Sequence, residues 1–199
     1  MVTASIVSVC LTLCALLQLY HFTWMQPGYD FYHLWIYAQE IRGSGVPDFY
    51  SNEFAGFVEE KYLQEALKGE GGSRFRTAAL WNAEMYKPGH LPDSTPLLYA
   101  SLATLSSGDY DRDLAVFQFA STLIFCLSIY VIGRALGNNI STVLIAISFI
   151  FLCWSSFHSD TEVANLARIQ SGILATCILI WRYFDNRFAF VLGGMLLGI

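Results

Sequence analysis

The sequence is short of charge: Asp, Glu, Lys and Arg make up 14% of its 199 residues, where a soluble domain carries about 25%. It is shorter still of positive charge, with 11 Lys and Arg against 16 Asp and Glu. No basic face of the kind that grips nucleic acid can be assembled from it, so no nucleic-acid partner is expected. Repeats and low-complexity tracts are missing as well. No cysteine pair has CxxC spacing, and all five cysteines (10, 14, 126, 153 and 177) lie inside apolar runs. Buried free cysteine behaves as a small hydrophobe, so neither disulfides nor a metal-thiolate site is expected. The N-terminal apolar run lacks the positively charged start of a signal peptide. It is long enough to span a membrane and reads as a retained first crossing.

What remains is apolar: 55% of residues are hydrophobic and the mean hydropathy is +0.46. These values predict an integral membrane protein that is all-α, a polytopic helical bundle. A crossing needs about 20 mostly apolar residues, and four stretches qualify: 2–24, 114–136, 140–157 and 163–181. A fifth run starts at 188 and is still apolar at Ile199. A dozen residues are too few to cross about 30 Å of hydrocarbon, so the sequence is expected to be the N-terminal portion of a longer protein.

Arg134 closes the second stretch and Arg182 and Arg187 follow the fourth, whereas the connection at 157–162 has no Lys or Arg. Arginine marks the cytoplasmic side. The hydrophilic insert 26–113, which holds most of the net charge of −5, is therefore expected outside the cytoplasm. Within it, 55–68 carries apolar residues at helical spacing before Gly69, Gly71 and Gly72 end the run. A second helix is expected from Ser73 as cap to Tyr86, before Lys87-Pro88-Gly89. The stretch 95–107 is apolar but too short to span, as re-entrant or interfacial segments are. Asp109, Asp111 and Asp113 are accounted for by solvent and by the macrodipole of the helix they open.

The most informative stretch runs from Gly28 to Tyr50, directly after the first crossing. Asp30 stands there among Tyr29, Phe31, Tyr32, Trp35 and Tyr37, the ring types that gather at membrane surfaces. Phe31, Leu34, Trp35, Ala38 and Ile41 follow the spacing of one helix stripe, and Gly43 is a natural stop. The spacing predicts a short helix along the outer membrane face with a carboxylate at its start.

This order of features resembles the glycosyltransferase C superfamily, and most closely the polyprenyl-phosphate-mannose-dependent family called glycosyltransferase 87. The matching parts are Asp30-Phe31-Tyr32, the Gly43 to Tyr50 turn, Thr95-Pro96-Leu97-Leu98-Tyr99, and the segment from Asn165 through Arg168 and Gln170 to Gly172. The resemblance implies a membrane hexosyltransferase in the bacterial plasma membrane. It would move a hexose, mannose in that family, from a polyprenyl-phosphate donor to an acceptor outside the cytoplasm, without a cofactor. It implies Asp30 as the general base. A lipid phosphate leaves as a stable anion, so one base suffices, unlike the paired carboxylates of glycoside hydrolysis.

Each candidate also has a plainer role. Asp30 could be a helix N-cap. Arg168, about six residues into the fourth stretch, could clamp the donor phosphate, or it could snorkel or pair with a carboxylate. Gln170 could touch substrate or tie helices together. His33, one turn after Asp30, could orient the carboxylate or touch the sugar. His158, Asp160 and Glu162 could meet substrate or a divalent ion, yet Ser159-x-x-Glu162 also reads as a capping box, and no metal site is assigned. The alternative function is a catalytically inactive accessory protein of the same fold. A transporter, with ionisable residues paired at mid-membrane, fits less well, because the polar residues cluster at one membrane face.

Overall fold

The computed structural model describes residues 2–44, 50–86, 96–153, 158–159, 162, 164 and 166–183. Among the described residues the regular structure is helical throughout. The helices are α1 (Val2–Met25), α2 (Tyr29–Ser44), α3 (Asn52–Leu67), α4 (Ser73–Met85), α5 (Pro96–Leu105), α6 (Tyr110–Ala135), α7 (Ile140–Cys153) and α8 (Ala167–Tyr183). They fall into two compact units. The first comprises Met1–Thr23, Gln118–Asp160 and Leu166–Ile199; the second comprises Trp24–Phe117 and Thr161–Asn165.

Among the described residues one helix is both long and apolar enough to cross a membrane. This is α6, with 26 residues and a mean hydropathy of 2.0 in its apolar window. The apolar stretches Val9–Met25 and Ile140–Cys153 are shorter. At 1.5 Å per residue α7 rises only about 21 Å, against roughly 30 Å of hydrocarbon. Residues 154–157 of the expected third crossing, and the whole of 188–199, lie outside the described residues.

In the first unit the core cluster formed by described residues is small. Ala15, Phe125 and Phe151 are buried, with Leu19, Cys126, Ile129, Ile147, Ile150 and Leu152 packed on them. Many large apolar side chains stay uncovered: Leu17 and Phe119 are each 70% exposed, and Leu13, Leu127 and Phe149 are more than half exposed. Polar contacts between helices supplement this thin core. The Thr12 and Ser148 hydroxyls lie 3.3 Å apart. Gly172 lets α8 approach α6 so closely that a Cβ there would run into Ile124. Small residues and interhelical hydroxyls are how helices associate where water supplies no drive.

The second unit is built around α2. A helix with one apolar stripe is expected to expose its other faces, but Tyr32, Ile36 and Tyr37 are buried as fully as Phe31 and Ala38. Apolar residues on every face make it a central helix, contacted by α3, α4 and α5. An aromatic cluster fills the space beside it. Trp35 meets Tyr110 edge-on at 5.4 Å, Phe75 at 5.8 Å and Tyr62 at 5.9 Å. The flanking helices start where local chemistry permits. Ser51 caps α3, its Oγ accepting the Phe54 amide at 3.1 Å, whereas α4 takes Gly72 as cap and Ser73 as its first helical residue.

Candidate functional site

The turn after α1 is fixed before any side chain of the site is placed. Gly28 adopts φ +71, donates its amide to the Glu162 carbonyl at 3.1 Å and accepts the Tyr32 amide at 2.9 Å. The phenol of Tyr110 donates to the Pro27 carbonyl at 2.7 Å and reaches the Gly28 carbonyl at 3.0 Å. With its start thus held, α2 presents Tyr29, Asp30 and His33 on adjoining positions of its first turns.

Asp30 is the second residue of α2 and is partly exposed. It therefore lies in the first turn and not at the cap, where a carboxylate still complements the positive end of the helix dipole. Tyr29 stacks on Trp81 at 4.2 Å and His33 meets the Tyr86 ring edge-on at 5.3 Å. Asn82, from the last turn of α4, donates Nδ2 to the Tyr29 carbonyl at 3.3 Å and to the Ala78 carbonyl at 2.8 Å.

Beside these residues is a cavity of about 90 Å³. Tyr32 and His33 of α2, Glu59 and Glu60 of α3, and Asn82 and Tyr86 contribute its polar wall. Burial, reinforced by the nearby Glu59 carboxylate, pushes the Tyr32 phenol well above its ordinary pKa. Asp30 is not among the lining residues.

Of the remaining sequence-predicted residues, Glu162 belongs to the second unit, and the others belong to the first unit or lie outside the described residues. Arg168 of α8 is 2% exposed, with Nη1 donating to Thr122 Oγ1 at 2.7 Å and Nη2 to Gln118 Oε1. Two of its acceptors are thus neutral side chains of α6. Gln170 is exposed. His158 donates Nε2 to the Phe151 carbonyl at 2.7 Å. Asp160 lies outside the described residues, as does Asn165. Among the described residues no three His, Cys, Asp or Glu side chains converge as metal ligands do.

Sequence reasoning missed two anchors. Asp113 accepts from Trp35 Nε1 at 2.9 Å, from the Ser107 amide at 2.9 Å and from the Ser106 and Ser107 hydroxyls, so it ties α2 to the turn before α6. Asp111 pairs with the buried Arg74, so two of the three acids taken as solvated are structural. Asn82 carried one visible signal, as a short amide inside a helix, where such residues weaken the helix unless they serve another purpose.

No family model, curated protein or solved structure matches the chain.

Proposed function

We propose that this protein is a polytopic membrane glycosyltransferase of the C type. It transfers a hexose, mannose by the family resemblance, from a polyprenyl-phosphate donor to an acceptor hydroxyl at the extracytoplasmic membrane face. The observation that carries the reading is the position of Asp30. A partly exposed carboxylate lies in the first turn of α2, five residues after the end of the apolar α1, where a sugar on a lipid tail can meet it. The acceptor oxygen attacks the anomeric carbon, the bond to the phosphate oxygen breaks, and the hydroxyl proton passes to Asp30. The phosphate departs as an anion and needs no acid.

His33, one turn along the same helix, is in reach of the sugar or of the Asp30 carboxylate. Gln170 and Asp160 serve the donor side in this reading. For Arg168, two side-chain acceptors already engaged favour tying α6 to α8 over clamping the phosphate. The uncovered leucines and phenylalanines of the first unit support burial in lipid.

The deciding experiment is mannose transfer from polyprenyl-phosphate mannose by reconstituted protein. Asp30→Asn is expected to lower turnover by about 10²–10⁴, the usual contribution of a general base. Turnover that survives the substitution overturns the assignment. A second reading, an inactive accessory protein of the same fold, is favoured by Asp30 lying outside the cavity wall. It predicts no turnover by the unaltered chain either.

A further inference from the structure

We propose that the cavity enclosed by α2, α3 and α4 is a binding site for a primary ammonium group. The inference stands apart from the glycosyl-transfer reading, because it uses neither Asp30 nor a donor sugar.

Three observations converge. The first is charge: Glu59 and Glu60 line the cavity, and among the described residues no Lys or Arg does. Lys61, their neighbour in sequence, is engaged elsewhere, paired with Glu40 and lying over the Tyr62 ring. The second is an oxygen in want of a donor. Asn82 is 5% exposed and its Oδ1 is buried with no hydrogen-bond partner. Its amide cannot be turned round, because Nδ2 already serves the carbonyls of Tyr29 and Ala78. Oδ1 is thus the atom left to the cavity. Leaving such an oxygen unsatisfied is unfavourable, and a ligand N–H would satisfy it. The third is the ring content of the wall: Tyr32 and Tyr86 lie on it, with His33 edge-on to Tyr86. Aromatic faces attract ammonium groups electrostatically.

The occupant must therefore be cationic and must donate hydrogen bonds, and about 90 Å³ admits only a small head group. An anion meets two carboxylates. A quaternary ammonium has no N–H for Asn82. A divalent metal lacks a convergent set of acidic or imidazole ligands among the described residues. A primary ammonium satisfies every term, giving one N–H to Asn82 Oδ1 and the others to the Glu59 and Glu60 carboxylates. The same chemistry is carried by free alkylamines and by the ethanolamine headgroup of a phospholipid.

The test is calorimetric titration of the full chain, held in phosphatidylcholine nanodiscs, with ethanolamine and separately with tetramethylammonium. Ethanolamine should bind about tenfold or more tightly than tetramethylammonium, the value of one hydrogen bond to a buried acceptor. The double substitution Glu59→Gln with Glu60→Gln should weaken ethanolamine binding by a similar or larger factor. Asn82→Leu should do the same. If that variant loses helix content, the glutamine pair still decides, because Glu60 is exposed and neither change alters side-chain size. Repeating the titration in discs containing phosphatidylethanolamine separates the sources. Suppressed binding identifies the lipid headgroup, and unchanged binding a free amine. Equal affinity for the two cations, no heat from ethanolamine, or indifference to the glutamine pair would overturn the proposal. So would calcium binding at these glutamates without ethanolamine binding.

Discussion

Gly28 stands at φ +71, and a Cβ there would come within 2.5 Å of Leu114 and 3.3 Å of Ala164. Left-handed backbone costs an L residue roughly 1–2 kcal/mol, and forced overpacking adds about 1–3. Gly28→Ala should therefore destabilise the second unit by roughly 2 kcal/mol or more, visible as faster hydrogen exchange of the α2 amides. Unchanged protection would mean that the turn has another conformation. Glu65 gives a pH signature. Burial raises its pKa above the ordinary 4.5, with Glu70 and Glu40 adding to the rise against Lys61. The folded state thus prefers the protonated carboxyl. Its contribution is complete below the unfolded pKa and is lost as pH rises through the folded one. Relative to Glu65→Gln, the wild-type protein should lose stability as pH rises from acid towards neutrality, with the gap closing at the acid end. Urea midpoints of the two proteins across that range measure it, and a gap that widens towards acid would reverse the assignment.

Among elements, α2 shows what pattern alone can and cannot reveal. Its existence and its end near Gly43 follow from apolar spacing and a glycine stop, and the helix does run from Tyr29 to Ser44. Its burial on all sides does not follow, because a stripe of five residues says nothing about Tyr32, Ile36 and Tyr37 between them. Tyrosine is at home on a surface and in a core, and only the arrival of α3, α4 and α5 decides. The aspartates in the first turn of α6 were hidden for a similar reason. Solvated and hydrogen-bonded carboxylates look alike in a sequence, and the donors of Asp113 include one as distant in the chain as Trp35. For the candidate site, Asp30 and His33 were legible as neighbours on one helix, whereas the cavity needs three helices and was not. The hydroxyl that joins α6 to the α1–α2 link offers a direct check. Tyr110→Phe leaves the buried carbonyls of Pro27 and Gly28 without that donor. It should cost about 1–3 kcal/mol, read as increased proteolysis of the turn at 26–28, and wild-type resistance would count against the bond.

For the molecule as a whole, composition settles the helical class but not the number of crossings. Apolar runs become helices of different lengths, and among the described residues only α6 meets both criteria. Leu123, 47% exposed near the middle of α6, tests whether that helix lies in lipid. Leu123→Arg should add about 2.5–3.5 kcal/mol to insertion and shift the protein into the alkaline-soluble fraction. Full retention in the membrane pellet would show that α6 does not anchor it.

The amide of Gly28 bonds to the carbonyl of Glu162, so the link leading into α2 is fastened by a residue from far downstream. A ribosome releases all of α2–α5 long before that residue emerges, and distant contacts of this kind are slow to close. During synthesis the aromatic interior can condense early while its clasp stays undone. A nascent chain stalled short of residue 162 should hold a collapsed but unlatched second unit, with the Gly28 proton still trading freely with solvent.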